Sequence, residues 1–420
     1  MLRPTSPIQR GSLAIADGSA SRGLLNWVYQ LNGQVDVVAL SAAIDQVVER
    51  HEILRTRFVT RDDQVFQEAQ PFRPGILKVV DGEGETRGEK LERARATAET
   101  EYFSLSAVDD TELRATLAIL GPKRCVLSIF LGEALVDGQS AVFVAREIAK
   151  TYSERTGQTP AAGMGGSDVR FLDYVSANPV PADVIERAMD HWQSLAHLRR
   201  PVGTWPWERG ERTNNVTFRL TKDEWRGVLR TARQLKVTPY VYVLTIFQMA
   251  FSRFTGNEEY LINGTIHDRH DPETIGMIGC FDSFVVMRGG VAPDAPLEHL
   301  LEVVGERVQE TVDIGAAVPA SLSGPDAEGR LPYDAAFPSV EMAMFEGRDG
   351  PDLPGVRQRR FRFGSGHPAL RITCNPVLDG ERNFFFSSIT ADVEHLDQVA
   401  ETYRSLLMGN VVPRERRASA

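Results

Sequence analysis

Cysteine is scarce. Three residues in 420, Cys125, Cys280 and Cys374, are odd in number and far apart. No CxxC pair or Cys/His spacing accompanies them, which excludes a disulfide framework or a zinc ribbon and leads us to expect a reduced, cytoplasmic compartment. Long apolar runs are also missing: no stretch of 18 apolar residues exists, so no membrane span is expected. Met1-Leu2-Arg3-Pro4-Thr5-Ser6-Pro7 has no charged segment followed by an apolar core, so it does not read as a signal peptide. Positive charge is in deficit, with 47 Lys and Arg against 57 Asp and Glu, a net charge of −10. That excludes the basic footprint of a nucleic-acid or anionic-membrane binder, and the acidity reads as solubility. No GxSxG, HExxH, P-loop or GxGxxG lies between a strand and a helix, and Gly163-Met164-Gly165-Gly166 lacks the Lys-Ser/Thr of a phosphate loop. No short-period repeat is visible.

What is present is an ordinary globular composition, 42% apolar and 25% charged. At this length it suggests two or three compact units with ample core. Helices and strands alternate in both halves. Asp36 caps a helix whose Leu40, Ala43, Ile44, Val47 and Val48 share a face. Leu113–Leu120 and Cys125–Leu131 read as strands joined by a turn at Gly121–Arg124, the second apolar enough to be covered on both faces. A helix follows Asp137-Gly138-Gln139-Ser140, with Ser140 as the expected N-cap. Thr159–Asp168, small, Gly-rich and Pro-containing, is the best linker candidate, with a long surface loop an equal alternative. Further helices are expected at Pro181–Arg199, after the capping box Thr221-Lys222-Asp223-Glu224, from Thr238-Pro239 to Phe254, at Pro296–Val312 and at Val393–Leu407. Strands are expected at Glu259–Gly264, Phe284–Arg288, Leu370–Cys374 and Asn383–Ile389. Phe384-Phe385-Phe386 reads as core strand. Ser323–Asp334 and Gly347–Gly355 read as loops, and Pro413–Ala420 as a frayed tail.

Several segments, taken in order, resemble the condensation domains of nonribosomal peptide synthetases. Ser6-Pro7-Ile8-Gln9-Arg10 is similar to that family's opening. Arg50-His51-Glu52-Ile53-Leu54-Arg55-Thr56-Arg57-Phe58 is similar to its Arg-His-Glu-x-Leu-Arg-Thr segment and is the most specific signal. Phe171-Leu172-Asp173-Tyr174 and His191-Trp192 resemble mid-chain features. Ile278-Gly279-Cys280-Phe281-Asp282-Ser283 resembles the start of its Ile-Gly-x-Phe-Val-Asn-x-x-x-x-Arg segment, which runs on to Arg288. The resemblance spans about residues 5–408. It implies a mixed α/β fold of two chloramphenicol-acetyltransferase-like halves in a V, placed at residues 1–165 and 166–420, with a tunnel between them. It implies a reaction that joins an acyl or peptidyl thioester, tethered to a carrier protein by its phosphopantetheine arm, to a small-molecule or carrier-bound amine or alcohol. No bound cofactor or metal is implied. With no carrier or adenylation domain fitting beside this fold, the chain is expected to meet its carrier in trans.

The family's reaction-centre motif is His-His-x-x-x-Asp-Gly, and here the matching segment is Gly132-Glu133-Ala134-Leu135-Val136-Asp137-Gly138. Asp137 and Gly138 are kept and both histidines are gone. The resemblance assigns Asp137 a structural ion pair with an Arg of the Leu-Arg-Thr segment, Arg55, with Arg57 as the neighbouring alternative. Gly138 is expected to permit a tight turn before the helix. His267 and His270 lie in a polar turn that reads as solvated. Glu133, in the position of the second His, is the candidate base. An ordinary Glu, with a pKa near 4.3, is a weak base, and burial in a tunnel is expected to raise it towards the range that general bases require. Asp282 and Ser283 stand at the Val-Asn positions of the later segment and are further candidates beside Glu133, although a solvent-facing place on a strand also suits Asp282. Two functions compete: an acyl-transfer enzyme forming an amide or ester, including ring closure, with a carboxylate base; and an inactive module that binds a carrier-bound intermediate or recruits a tailoring enzyme. An acyltransferase using free coenzyme A thioesters is a third.

Overall fold

Two sheets, each with helices packed against it, account for most of the chain. The computed structural model describes residues 1–17, 23–62, 64–106, 109, 111–159, 169–198, 209–257, 259–267, 269, 271–314, 340–344, 350–361, 370–376, 380–390 and 393–409. The first sheet has five strands in the order Arg357–Phe361, Leu24–Asn32, Arg124–Gly132, Arg114–Gly121 and Leu77–Asp81. All its pairings are antiparallel except the last. Cys125 to Leu131 are all buried, as the near-continuous apolar run predicts. Their alternation divides them between two cores. Cys125, Leu127, Ile129 and Leu131 pack with the helices Val37–Arg50 and Gly138–Arg155. Val126 and Phe130 pack with Ala94, Ala98 and Tyr102 of the helix Arg87–Ser104.

The helix Val37–Arg50 begins where its cap predicts, the Asp36 carboxylate accepting from the Ala39 N–H. One cap differs from expectation. Asp137, not Ser140, is the N-cap of Gly138–Arg155: Ser140 is the third residue of the helix and its N–H donates to Asp137.

The second sheet has six strands in the order Asp282–Gly289, Tyr260–His267, Val340–Met344, Leu370–Pro376, Arg382–Thr390 and Arg209–Leu220. Val340–Met344 runs parallel to both neighbours, and the other pairings are antiparallel. One face packs beneath the helices Lys222–Gln234, Pro239–Thr255, Leu297–Ile314 and Val393–Leu407. The capping box at Thr221 forms, with Thr221 and Glu224 each satisfying the other's backbone N–H. Phe384 and Phe386 are fully buried in this core, and Phe384 stacks on Phe218 with ring centroids 4.8 Å apart. The expected helix at Pro181–Arg199 occupies Ala182–Leu195. A three-stranded sheet of Arg3–Pro4, Gln64–Ala69 and Thr56–Arg61 flanks the first. No described helix is long and apolar enough to cross a membrane.

Segments beyond residue 166 return to the first core. Phe171, Leu172, Met277, Ile278, Cys280, Phe281, Leu353 and Val356 are buried there, and Arg357–Phe361 forms the edge strand beside Leu24–Asn32. The expected linker (Thr159 apart), the loop Ser323–Asp334, part of the loop Gly347–Gly355, and the tail Pro413–Ala420 lie outside the described residues.

Candidate active site

The strand Arg124–Gly132 ends where Glu133 begins a turn, and the backbone fixes that turn on both sides. The Gly132 N–H donates to the Thr111 carbonyl at 2.8 Å, and the Glu133 N–H donates to the Gly23 carbonyl at 2.8 Å. Gly132 has little room for a side chain: a Cβ there would lie 3.1 Å from Thr111 Cβ and 3.2 Å from Thr111 Cγ2. The Ala134 carbonyl accepts from the buried Gln9 amide at 3.2 Å. Glu133 itself is half-buried, between the buried Gly132 and Ala134.

The turn closes on Asp137, whose side chain is completely buried. Its Oδ2 accepts from Arg269 Nη2 at 2.8 Å and from the Phe281 N–H at 2.9 Å, while Oδ1 accepts from the Ser140 N–H. The pairing expected with Arg55 is therefore not the one that forms. The guanidinium facing Asp137 belongs to Arg269, which the sequence places in the polar turn 267–272. Arg57, the other alternative, makes two hydrogen bonds to Glu112. Arg55 Nε and Nη1 are buried without a hydrogen-bond partner among the described residues.

Arg269 is held through both of its terminal nitrogens. It donates to the Thr274 and Met277 carbonyls at 2.7 and 2.9 Å and to Ser140 Oγ at 2.7 Å, and it stacks over Phe281 with its Cζ 4.2 Å from the ring centroid. Nothing in the spacing singles this Arg out, because its partners are backbone carbonyls and a carboxylate more than 130 residues away. The side chain of His267, together with His270, lies outside the described residues.

Ser140 ties the helix to the Ile278–Phe281 segment. Its hydroxyl donates to the Gly279 carbonyl at 2.7 Å and accepts from the Gly279 N–H at 3.0 Å. Gly279 is required at that point, since a Cβ there would lie 2.0 Å from the Phe171 ring. Asp282 follows directly, half-buried, and its Oδ2 accepts from the Gly138 N–H at 3.2 Å. Gly138 and Asp282 are thus brought together at the N-terminus of the helix Gly138–Arg155, where a carboxylate is favoured. Ser283 is the second residue of the strand Asp282–Gly289, and its side chain lies outside the described residues.

The electrostatics converge on Glu133. Burial pushes its carboxyl above the usual range; Arg371 pulls it back, and Glu341 and Asp282 push it further up. Burial likewise raises Asp137, to about 6, with Asp282 adding to the rise and Arg269 and the backbone donors of Ser140 and Phe281 opposing it. Three donors on its two oxygens, one of them the Arg269 guanidinium, favour the carboxylate form of Asp137. Cys280, buried 3.9 Å from Ser12 Oγ, has its thiol pushed far up by burial and the nearby carboxylates, which disfavours the thiolate. Two residues of the second sheet that sequence reasoning missed, Glu341 and Arg371, pair across adjacent strands with Arg371 Nε 2.9 Å from Glu341 Oε1. No motif marks them; only the parallel pairing of their strands brings them together.

Comparison with known proteins finds relatives in sequence and in fold. A family model described as "Condensation domain" matches residues 3–316. Cyclosporin synthetase simA from Tolypocladium inflatum is 26% identical over 294 residues, 67% of this chain and 2% of that protein. The chain spans between 2% and 8% of the length of such curated relatives. Among solved structures, the X-domain from teicoplanin biosynthesis superimposes with a TM-score of 0.69 at 21% identity, covering 96% of this chain and 93% of that one. The EpoB cyclization-docking bidomain from Sorangium cellulosum gives a TM-score of 0.77 at 18% identity, covering 97% and 84%.

Proposed function

The chain belongs to the condensation-domain family, and from that premise we propose that it transfers an acyl or peptidyl group from a carrier-protein thioester to an amine or alcohol, with Glu133 as the base. The architecture is the chloramphenicol-acetyltransferase-like one of condensation domains, and we take residues 1–165 and 166–420 as its two halves, with the segment around Arg357–Phe361 lent back to the first.

The observation that carries the proposal is the state of Glu133. It occupies the position of the family's second His, on a turn held by the same Asp-Gly pair. Its carboxyl is raised by burial and by two neighbouring carboxylates, against the pull of Arg371. A raised carboxylate is the stronger base that proton removal from an attacking amine needs. In the step, the amine nitrogen forms a bond to the thioester carbonyl carbon and Glu133 takes the amine proton. The C–S bond then breaks, and the same carboxyl returns the proton to the departing thiolate. Asp137 and Arg269 do not touch the reactants. They are positioning residues that lock the turn on which Glu133 sits.

The phosphopantetheine arm of the carrier presents the donor as a tethered substrate, and holding both reactants contributes more than the base: positioning accounts for about 7–11 kcal/mol of such barriers. Glu133→Gln keeps the shape and removes the basic carboxylate. With acyl-pantetheine donors and a panel of amines, turnover should fall by about 10²–10⁴-fold while the KM for the donor changes little. Unchanged product formation in Glu133→Gln and Glu133→Ala would move the recruitment reading, in which the domain binds a carrier-bound intermediate without chemistry, ahead of this one.

A further inference from the structure

Two departures from the family pattern point the same way. Glu133 replaces an imidazole and Asp282 replaces an apolar residue, so each adds negative charge at one place. The second sheet adds a third carboxylate. Glu341, 1% exposed, acts electrostatically on Glu133, as does its partner Arg371. The pair Asp137–Arg269 is neutral in itself. When Glu133 takes the nucleophile's proton, Glu341 and Asp282 against Arg371 still leave one negative charge in a poorly hydrated place, where uncompensated charge is costly.

A second observation is independent of that count. Asn263 lies directly across from Glu341 in the parallel pairing of their strands, so both side chains leave the sheet on the same face. Asn263 is completely buried, yet neither its Nδ2 nor its Oδ1 has a hydrogen-bond partner among the described residues. Buried amides are normally satisfied. An amide oxygen beside a carboxylate is a ready acceptor pair for an ammonium group.

We propose that this site selects a dicationic acceptor, a diamine or a basic amino acid derivative, whose second ammonium is held by Glu341 and the Asn263 side-chain oxygen while its first amine meets Glu133. The inference rests on the reading of Glu133 as the acceptor-side base, and its test is kept separate from catalysis. The full chain, without any thioester donor, is titrated calorimetrically with lysine amide, norleucine amide and glutamate amide. Lysine amide should bind about 10–100-fold more tightly than norleucine amide, the range that a hydrogen-bonded charge contributes, and glutamate amide most weakly. Glu341→Gln should remove most of that preference and leave norleucine amide binding within about twofold. Asp282→Asn, which removes the charge and keeps an oxygen to accept from the Gly138 N–H, should weaken lysine amide in the same direction and guards against a folding defect in the first variant. Equal affinities for lysine and norleucine amides in the unaltered protein, or a lysine preference that survives in both folded variants, overturns the proposal. Loss of turnover in Glu133→Gln without a lysine preference leaves the base in place and removes this inference alone.

Discussion

Asp137 shows how a single buried carboxylate fixes the geometry of a site it does not enter. It holds the helix start, the Phe281 backbone and the Arg269 guanidinium at once. Removing one partner of a buried ion pair leaves the other uncompensated, at about 3–5 kcal/mol. Asp137→Ala and Arg269→Met should each lose about that much by chemical denaturation, and the double variant should lose clearly less than the sum. Arg55→Met, by contrast, should cost less than either, since no described group pairs with the two buried guanidinium nitrogens. Glu133 contributes through the pH dependence of stability. Its carboxyl is raised in the folded state, so as pH rises above the ordinary carboxylate range the unfolded chain sheds its proton first. Stability from this group is therefore greatest below that range and falls as pH climbs through the raised value. Glu133→Gln should match the unaltered protein at pH 4 and melt at a higher temperature at pH 8. A variant that melts lower at pH 8 would show that the carboxylate is satisfied in the fold.

At the scale of elements, the strand end at Gly132 explains why the family's double histidine is not easily restored. The space a side chain would need is taken by Thr111, which is itself buried and donates from its Oγ1 to the Thr56 carbonyl at 3.0 Å. Gly132→His should therefore cost about 1–3 kcal/mol as overpacking. Adding Thr111→Ser, which removes the crowding Cγ2 but keeps the hydroxyl, should recover part of it, measured as a rise in Tm. The strand Arg124–Gly132 and the helix Val37–Arg50 were legible because their apolar spacing is strong and local. So were the turn and the position of Glu133, through the Asp137-Gly138 match. The strand Arg357–Phe361 was not, because its sequence RQRRF offers almost no apolar alternation and its place comes from pairing with Leu24–Asn32, more than 300 residues earlier. Arg269, Glu341 and Arg371 were hidden for the same reason: each gains meaning from a partner distant in sequence. Ser140 does not cap the helix although Asp, Gly and Ser within four residues all suit a helix start; only the three-dimensional demand on Asp137 decides among them.

At the scale of the whole molecule, the two large cores are not independent. The first core contains residues from Phe171 to Val356 that the chain supplies from beyond its expected midpoint, and the edge strand Arg357–Phe361 hydrogen-bonds into the first sheet before the chain returns to the second at Leu370. Unfolding the second sheet alone would pull these segments out of the first and expose Leu353 and Val356. The two should therefore melt together in one calorimetric transition, although 420 residues in two sheets would otherwise favour two. Ile44→Ala in the first core and Ile372→Ala in the second, both fully buried, should each shift that one transition, at about 2–5 kcal/mol apiece. The coupling has a specific point of attack. Gly33 has φ +152°, and a Cβ there would lie 2.7 Å from the Gly355 carbonyl oxygen and 3.0 Å from Val356 Cα, backbone atoms that cannot swing aside. Gly33→Ala should push the returning segment off its neighbour, lower the Tm and broaden or split the transition. Two separate peaks in the unaltered protein, with Ile44→Ala moving one and Ile372→Ala the other, would show that the crossing segment does not bind the cores into a single cooperative unit.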